Sequence, residues 1–391
     1  MEKPKIRFLK NKNSWVRNTF EEIAKRRTKS SDNPDLPRIE YQDIISGEGR
    51  LSKDLNKNID CRKGIVFETN DILYGKLRPY LKNWLHPNFN GIALGDFWVL
   101  QARNCDSKFL FSLVQSPKFQ RVANDTSGTK MPRSDWKTVS QTEFSIPTSN
   151  DEQSAIGSLF RTLDELLTSY KDNLVNYQSL KAAMLSKMFP QAGQTIPEIR
   201  LDGFEGEWEV VNLGTLIENF DEVISGTSGF PIATSSRKGL YLQNDYFEGG
   251  RTGIDLTLDF HRVPIGYVTY RHMSDDSIFK FNKNNFETDV LVSKEYPVFI
   301  NNDNSDIDFL LYHLNNSRLF LRFSTMQKLG GTRVRLYYKN LITYKLAVPT
   351  IKEQQAIGSY FSNLDNLINS HQEKISQLET LKKKLLQDMF I

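Results

Sequence analysis

A chain of 391 residues that is 39% hydrophobic and 25% charged has the composition of ordinary globular domains, with enough material for two or three cores. It holds no run of about 18 apolar residues, and the opening MEKPKIRFLKNKNSW lacks the apolar stretch of a secretory signal, so neither a membrane span nor export is expected and the cytoplasm is the expected location. A net charge of +4 permits a polyanionic partner without requiring one.

The chain opens on Pro4-Lys5-Ile6-Arg7-Phe8, with Trp15 and Phe20 to follow. Phe20 and Ile23 begin an amphipathic segment that leads into Lys25-Arg26-Arg27, which reads either as a phosphate-facing helix end or as a solvated one. Short apolar runs at 64–67, 92–94 and 97–100 predict strands, and 107–124 has helical spacing. Between them, Asp71 to Lys82 alternates cationic and apolar residues; a strand there would place Lys76, Arg78 and Tyr80 on one face, with Lys82 close behind. Lys130, Arg133 and Lys137 form a second basic cluster.

Ile146-Pro147-Thr148 followed by Asp151-Glu152-Gln153 predicts a strand end feeding a helix, with acids placed early to meet the positive end of its dipole. From there Ile156, Leu159, Leu163, Leu166, Tyr170, Leu174, Tyr177, Leu180, Met184 and Met188 advance by threes and fours, the stripe of one continuous helix. Pro190 ends it, and 191–195 is a short linker.

The chain then begins again. Pro197-Glu198-Ile199-Arg200-Leu201, Trp208 and Leu213 repeat the opening at a constant shift of 193. Runs at 266–270 and 290–292 predict strands, 305–323 predicts helix, and one strand ends with Arg271 and His272 at its tip. Arg333 and Arg335 form a basic cluster, and Val348-Pro349-Thr350 leads into a second long helix with Ile357, Tyr360, Leu364 and Leu367 on its stripe. Residues 353–390 repeat 152–189 with 16 of 38 positions identical and no gap. The whole chain is therefore a tandem duplication in sequence. Outside the strut-like helices the two bodies share little beyond length and late positions such as Gly128-Thr129-Lys130 against Gly331-Thr332-Arg333.

A helix of this length spans about 57 Å, more than one compact domain buries, so each stripe needs a partner and the other copy is the nearest. Heptad-like spacing with polar residues off the stripe predicts a paired, coiled-coil-like spacer, with Lys382, Lys383 and Lys384 on its wet side. The expected fold class is α+β: a tandem pseudo-twofold duplication, two globular domains with twisted, mostly antiparallel sheets, joined by two long antiparallel helices. The expected divisions are 1–145, 146–196, 197–347 and 348–391.

The sequence carries no recognisable catalytic motif. There is no G-x-x-x-x-G-K-S/T, no H-E-x-x-H, and no Asn/Asp-Pro-Pro-aromatic motif, because Asn33-Pro34 is followed by Asp35. Asp135-Trp136-Lys137 lacks a partner acid. Cys61 and Cys105 stand far apart and are expected to be buried structural thiols rather than a disulfide or metal ligands. No catalytic residue, metal or cofactor is expected in this chain.

The basic segments fit nucleic acid: arginine and lysine take phosphates, or guanine edges in the major groove. The candidate contacts are Lys76, Arg78, Tyr80, Lys82, Lys130 and Arg133 in the first body, and Arg271, His272, Arg333 and Arg335 in the second. The plainer alternative is a solvated surface or an ion-paired strand edge.

The repeated E-Q-x-A-I-G-S-x-F helices at Glu152 and Glu353, G-F-E-G-E-W at 203–208 and L-Y-G-K-L-R-P-Y-L at 73–81 together resemble the specificity subunit of type I restriction-modification enzymes over essentially the full chain. That resemblance implies two target-recognition domains, each reading one half of a bipartite asymmetric site in double-stranded DNA, with the helices setting the spacing. It also implies docking of two modification subunits, which use S-adenosylmethionine to methylate adenine, and of two restriction subunits, which use ATP and Mg2+; those cofactors belong to the partners. Asn11-Lys12-Asn13-Ser14-Trp15 departs from the F-E-G-E-W pattern, which weakens a docking role there. Two other readings stand beside it: a coiled-coil interaction scaffold without sequence-specific DNA binding, and a self-sufficient DNA-modifying enzyme.

Overall fold

The computed structural model describes residues 4–8, 14–52, 62–125, 131–246, 255–328 and 333–390. Short β-branched and aromatic runs form strands and the 3.6-period segments form helices, giving the mixed α and β content expected. The chain divides into two units, one of Met1–Leu174 with Ser370–Ile391 and one of Val175–Asn369. The expected divisions gave each long helix a segment of its own; the contacts instead share each helix between the units.

In the first unit, Trp15–Thr19 pairs antiparallel with Glu143–Pro147, closing the body at both ends. Two four-stranded sheets lie between. One runs in the order Ala24–Arg26, Phe97–Ala102, Ile72–Gly75, Trp84–Leu85, all antiparallel. The other contains the parallel pair Gly91–Ala93 with Arg38–Ile39. Lys25-Arg26-Arg27 is therefore no helix end: after one turn at Phe20–Ile23 the chain enters the sheet. There Arg26 lies 4.4 Å over the Trp136 ring and Arg27 pairs with Glu68 and Asp71. The segment expected to be helical at 107–124 is two helices, Ser107–Gln115 and Pro117–Ala123, because Ser116 ends one and caps the next with its hydroxyl. Asp135 caps the helix Trp136–Gln141 and so has a local structural role. The Cys105 thiol is pushed up to about 12 by burial, and Cys61 lies outside the described residues.

The second unit repeats several of these solutions. Glu209–Asn212 pairs with Lys345–Val348, and a four-stranded antiparallel sheet runs Ile217–Asn219, Val298–Asn301, Val268–Tyr270, Phe281–Lys283. Helices Ile307–Asn316 and Arg318–Met326 are again divided at a serine cap, Ser317.

The long helices, Asn150–Lys187 and Ile351–Met389, begin alike. Glu152 is fully buried and accepts from Arg7 Nε at 2.6 Å and Nη2 at 2.7 Å. Glu353 accepts two bonds from Arg200, both at 2.7 Å. Gln153 Oε1 accepts from the Asp106 amide at 2.8 Å, and Gln354 Oε1 from the Asp306 amide at 3.0 Å. Each of these aspartates caps the helix that packs on its long helix.

Inside the first unit, Asp164 and Lys171 of the first long helix meet Lys382 and Glu379 of the second, so the two run antiparallel there. Ile156, Leu163, Ile357 and Leu364 are buried, and Leu159 and Tyr360 are half-buried against the cores. Leu166 and Leu367 depart from the expected stripe: they are 42% and 43% exposed, while Leu167 and Ile368 are buried at 8% and 7%. The buried face is set by packing on the adjacent body as well as on the partner helix, which rotates it by one residue. Lys382 likewise departs from the expected wet face. It is buried, donating to Gln115 Oε1 at 2.8 Å and pairing with Asp164 at 2.6 Å. In the second unit Lys181 pairs with Asp365, the same two positions with the helices exchanged.

Candidate nucleic-acid interface

In the first unit the basic loop is built by a strand that stops early. Ile72–Gly75 ends where the Gly75 amide donates to Asn83 O at 2.7 Å; a Cβ on Gly75 would meet that oxygen at 2.9 Å. The chain doubles back through a 3-10 turn, Pro79–Leu81, into Trp84–Leu85. Lys76, Arg78 and Tyr80 therefore do not share a strand face as the alternation suggested, since Pro79 cannot donate to a ladder. They lie instead on an exposed loop with Tyr80 at 56% exposure and Lys82 beside it.

Arg78 and Lys82, on either side of that turn, both have left-handed backbones, at φ 49° and 54°. Non-glycine residues hold this conformation only when their surroundings fix it. Here the Arg78 amide donates to Pro132 O at 2.7 Å, and the Ser134 amide to Lys76 O at 2.8 Å. Those bonds set Leu77 opposite Arg133 in an isolated antiparallel bridge, so the loop at 76–82 and the late cluster at 133 form one edge. Lys130 lies outside the described residues.

The second unit makes the same junction. Met273–Ser274 pairs with Val334–Arg335, setting Met273 opposite Arg335, and the Leu336 amide donates to His272 O at 2.8 Å. Arg271, Arg333 and Arg335 are exposed. His272 is not at an exposed tip. It is buried, stacked on Tyr337 with ring centroids 5.4 Å apart, and burial lowers its pKa. Tyr337 is itself 42% exposed at this edge.

Several participants gave little sign of themselves in the sequence. Asp96 faces Lys76 at 3.7 Å and Arg133 at 2.9 Å, and its carbonyl accepts from Tyr41 Oη at 2.6 Å. Burial pushes the Tyr41 phenol up to about 12. Arg237, at the turn between the paired strands Ala233–Ser236 and Gly239–Leu242, binds Asp276 through both Nη atoms. A basic pair ahead of a glycine between two strand-like runs was the available signal for Arg237; Asp96 offered only a turn residue after Gly95. Among the described residues no group of three or more His, Cys, Asp or Glu is placed to hold a metal ion, and no helix is long and apolar enough to cross a membrane.

Comparison with known proteins bears on this arrangement. The model of a type I restriction modification DNA specificity domain matches residues 229–380. The type I restriction enzyme MjaVIII specificity subunit of Methanocaldococcus jannaschii is 22% identical over 355 residues, covering 83% of this chain and 79% of the relative. The putative MjaX specificity subunit of the same organism is 22% identical over 260 residues, covering 60% and 56%. In fold, the crystal structure of the type I restriction-modification S subunit from M. genitalium superposes with a TM-score of 0.60 at 13% identity, covering 100% of this chain and 99% of that one. In its repeated E-Q-x-A-I-G-S-x-F helices, in the match of residues 229–380 to the specificity-domain model and in its likeness to the MjaVIII subunit, the chain is similar to type I restriction-modification specificity subunits.

Proposed function

We propose that this chain is the DNA sequence-recognition subunit of a type I restriction-modification complex, and that each unit reads one half of a bipartite asymmetric site. The observation that carries this reading is the junction made twice. In each unit two cationic segments far apart in sequence are bridged into one exposed edge, Leu77 to Arg133 in one and Met273 to Arg335 in the other. Such an edge supplies phosphate contacts for salt-dependent affinity and side chains for base edges. Lys76, Arg78, Tyr80, Lys82, Lys130 and Arg133 serve one half-site; Arg271, Arg333 and Arg335 serve the other, with His272 acting through Tyr337 rather than by contact.

In this reading the duplicated helices set the half-site spacing and dock two modification subunits. Support for a doubled docking surface comes from matched exposed leucines. Leu166 and Leu381 in the first unit, and Leu367 and Leu180 in the second, are 40% to 44% exposed and flank the Asp164–Lys382 and Asp365–Lys181 pairs. Methylation and cleavage then belong to the partners, with S-adenosylmethionine, ATP and Mg2+ bound there, in the cytoplasm. The interaction-scaffold alternative is not favoured, since it gives no reason for a cationic edge on each unit.

The test is a footprint of the full chain with its modification subunit on DNA. Two protected segments separated by an unread gap are expected. A chain that binds its partner yet leaves DNA unprotected would return the scaffold reading.

A further inference from the structure

An acid, Asp96, stands among the described cations of the first edge, where a surface built only to attract DNA would have none. The Asp96 carboxylate lies 3.7 Å from Lys76 Nζ and 2.9 Å from Arg133 Nη2. The loop does not depend on that carboxylate for its shape. Main-chain bonds hold it: Lys76 N–H to Asp96 O at 2.9 Å, Arg78 N–H to Pro132 O at 2.7 Å and Ser134 N–H to Lys76 O at 2.8 Å. Tyr41 adds a brace, donating to Asp96 O at 2.6 Å and accepting from the Leu77 amide at 3.2 Å. These main-chain bonds hold the loop without the carboxylate, whose ion pairs among the described residues are to Lys76 and Arg133.

The second unit carries the same device on different residues. Asp275 holds Arg333 at 2.8 Å; Asp276 holds Arg237 at 2.8 and 2.5 Å but also accepts from Ser274 Oγ and the Ile278 amide, so it shapes its turn as well. These pairs are at least partly exposed, so they are weak enough to open when a stronger anion arrives.

We propose that Asp96 is a resident counterion that DNA must displace, withholding Lys76 and Arg133 from indiscriminate phosphate contact. The proposal rests on the DNA-recognition reading above and adds to it a residue that sets specificity by opposing binding. A cation already facing a carboxylate neutralises a phosphate incompletely, so non-specific binding, which is almost wholly electrostatic, is the more heavily penalised. Binding at the correct site adds base-edge contacts, and these offset the loss of the ion pairs.

The test compares the full chain with its Asp96→Asn variant by fluorescence anisotropy, on a duplex carrying the methylated motif and on a scrambled duplex, over a salt series. The variant is expected to bind the scrambled duplex on the order of tenfold more tightly at low salt, with the slope of log K against log salt steeper by about 0.9 for each cation set free. Its preference for the motif should fall, and Asp96→Glu should restore it. Should Asp96→Asn fail to fold, Asp275→Asn on the exposed pair of the second unit makes the same comparison. A variant that weakens binding to both duplexes, or leaves slope and preference unchanged, would overturn the proposal and make the aspartate a positioning residue only. If the unaltered chain shows no salt-dependent binding to either duplex, the DNA reading itself fails, and that result is distinct from the other two.

Discussion

Arg78 sits at the turn where the first cationic edge is fixed. Its left-handed backbone is fixed by the bond to Pro132 and followed by Pro79, so its side chain leaves the loop in one direction from an ordered base. Arg78→Ala is expected to relax one half of the recognised site while the other half is still read, a loss of about 1 to 3 kcal/mol of discrimination at the base concerned. Methylation mapped across a genome checks this, and an unchanged motif would remove Arg78 from the interface. Histidines give a second prediction. His313, hydrogen-bonded to Tyr344 Oη at 2.8 Å, is held by burial at about 4, and so is His86 in the first unit. Unfolding returns each ring to the ordinary range near 6.5, so the unfolded chain binds more protons between those values. Each histidine's contribution is fully present above pH about 6.5 and is lost as pH falls to about 4, up to about 3 kcal/mol for the fully buried His313. Urea titrations of the wild type and His313→Asn between pH 7 and 4 should show the variant losing less stability over that range; parallel losses would contradict the assignment. The basic residues were legible one by one, as charges in polar or alternating runs. Their union was not, because the bridge between Leu77 and Arg133 is long-range and leaves no local pattern. For the same reason His272 looked like a strand tip: nothing local announced Tyr337 as the ring that covers it.

For the elements, the long helices show where periodicity stops being informative. The three-four spacing predicts helices over 152–189 and 353–390, the structure has them at Asn150–Lys187 and Ile351–Met389, and the spacing fixes the buried face to within one position. Choosing Leu167 over Leu166 requires knowing that the helix also packs on the body beside it, and the sequence clue was a glycine. A Cβ on Gly157 would lie 2.5 Å from the Phe109 amide nitrogen, and one on Gly358 would lie 2.6 Å from Asp306 Oδ1. Each helix therefore crosses the start of its capped neighbour at close range. Helix propensity alone would make Gly157→Ala stabilising by about 1 kcal/mol. The crossing reverses the sign, and a net destabilisation of about 1 to 3 kcal/mol is expected in urea unfolding. A stabilised variant would show that the helix is not seated against Phe109.

On the scale of the whole molecule, each unit is completed by residues from the far end of a helix that starts in the other repeat. Phe390 packs on Phe109 and Phe160 with centroids 5.5 and 5.7 Å apart. Phe189 packs on Phe309 and Phe361 at 5.4 and 6.2 Å. The duplication was plain in the sequence, and this exchange of closing residues was not, because an internal repeat says that two segments are alike without saying which core receives which end. Phe390→Ala is expected to destabilise the first unit by about 3 to 5 kcal/mol. Hydrogen exchange should show protection lost across its sheets and retained in the second unit. Uniform loss across both units would mean that they unfold as one.

The central claim is that one fused chain reads two unlike half-sites through two cationic edges. The most direct measurement is the map of methylated adenines in a host carrying this chain and its cognate modification subunit, made before and after four residues, about one helical turn, are inserted at Ser169. A single bipartite asymmetric motif is expected, its unread gap lengthened, or its recognition abolished, in the insertion variant. An uninterrupted motif, or a gap that the insertion leaves untouched, would contradict that claim.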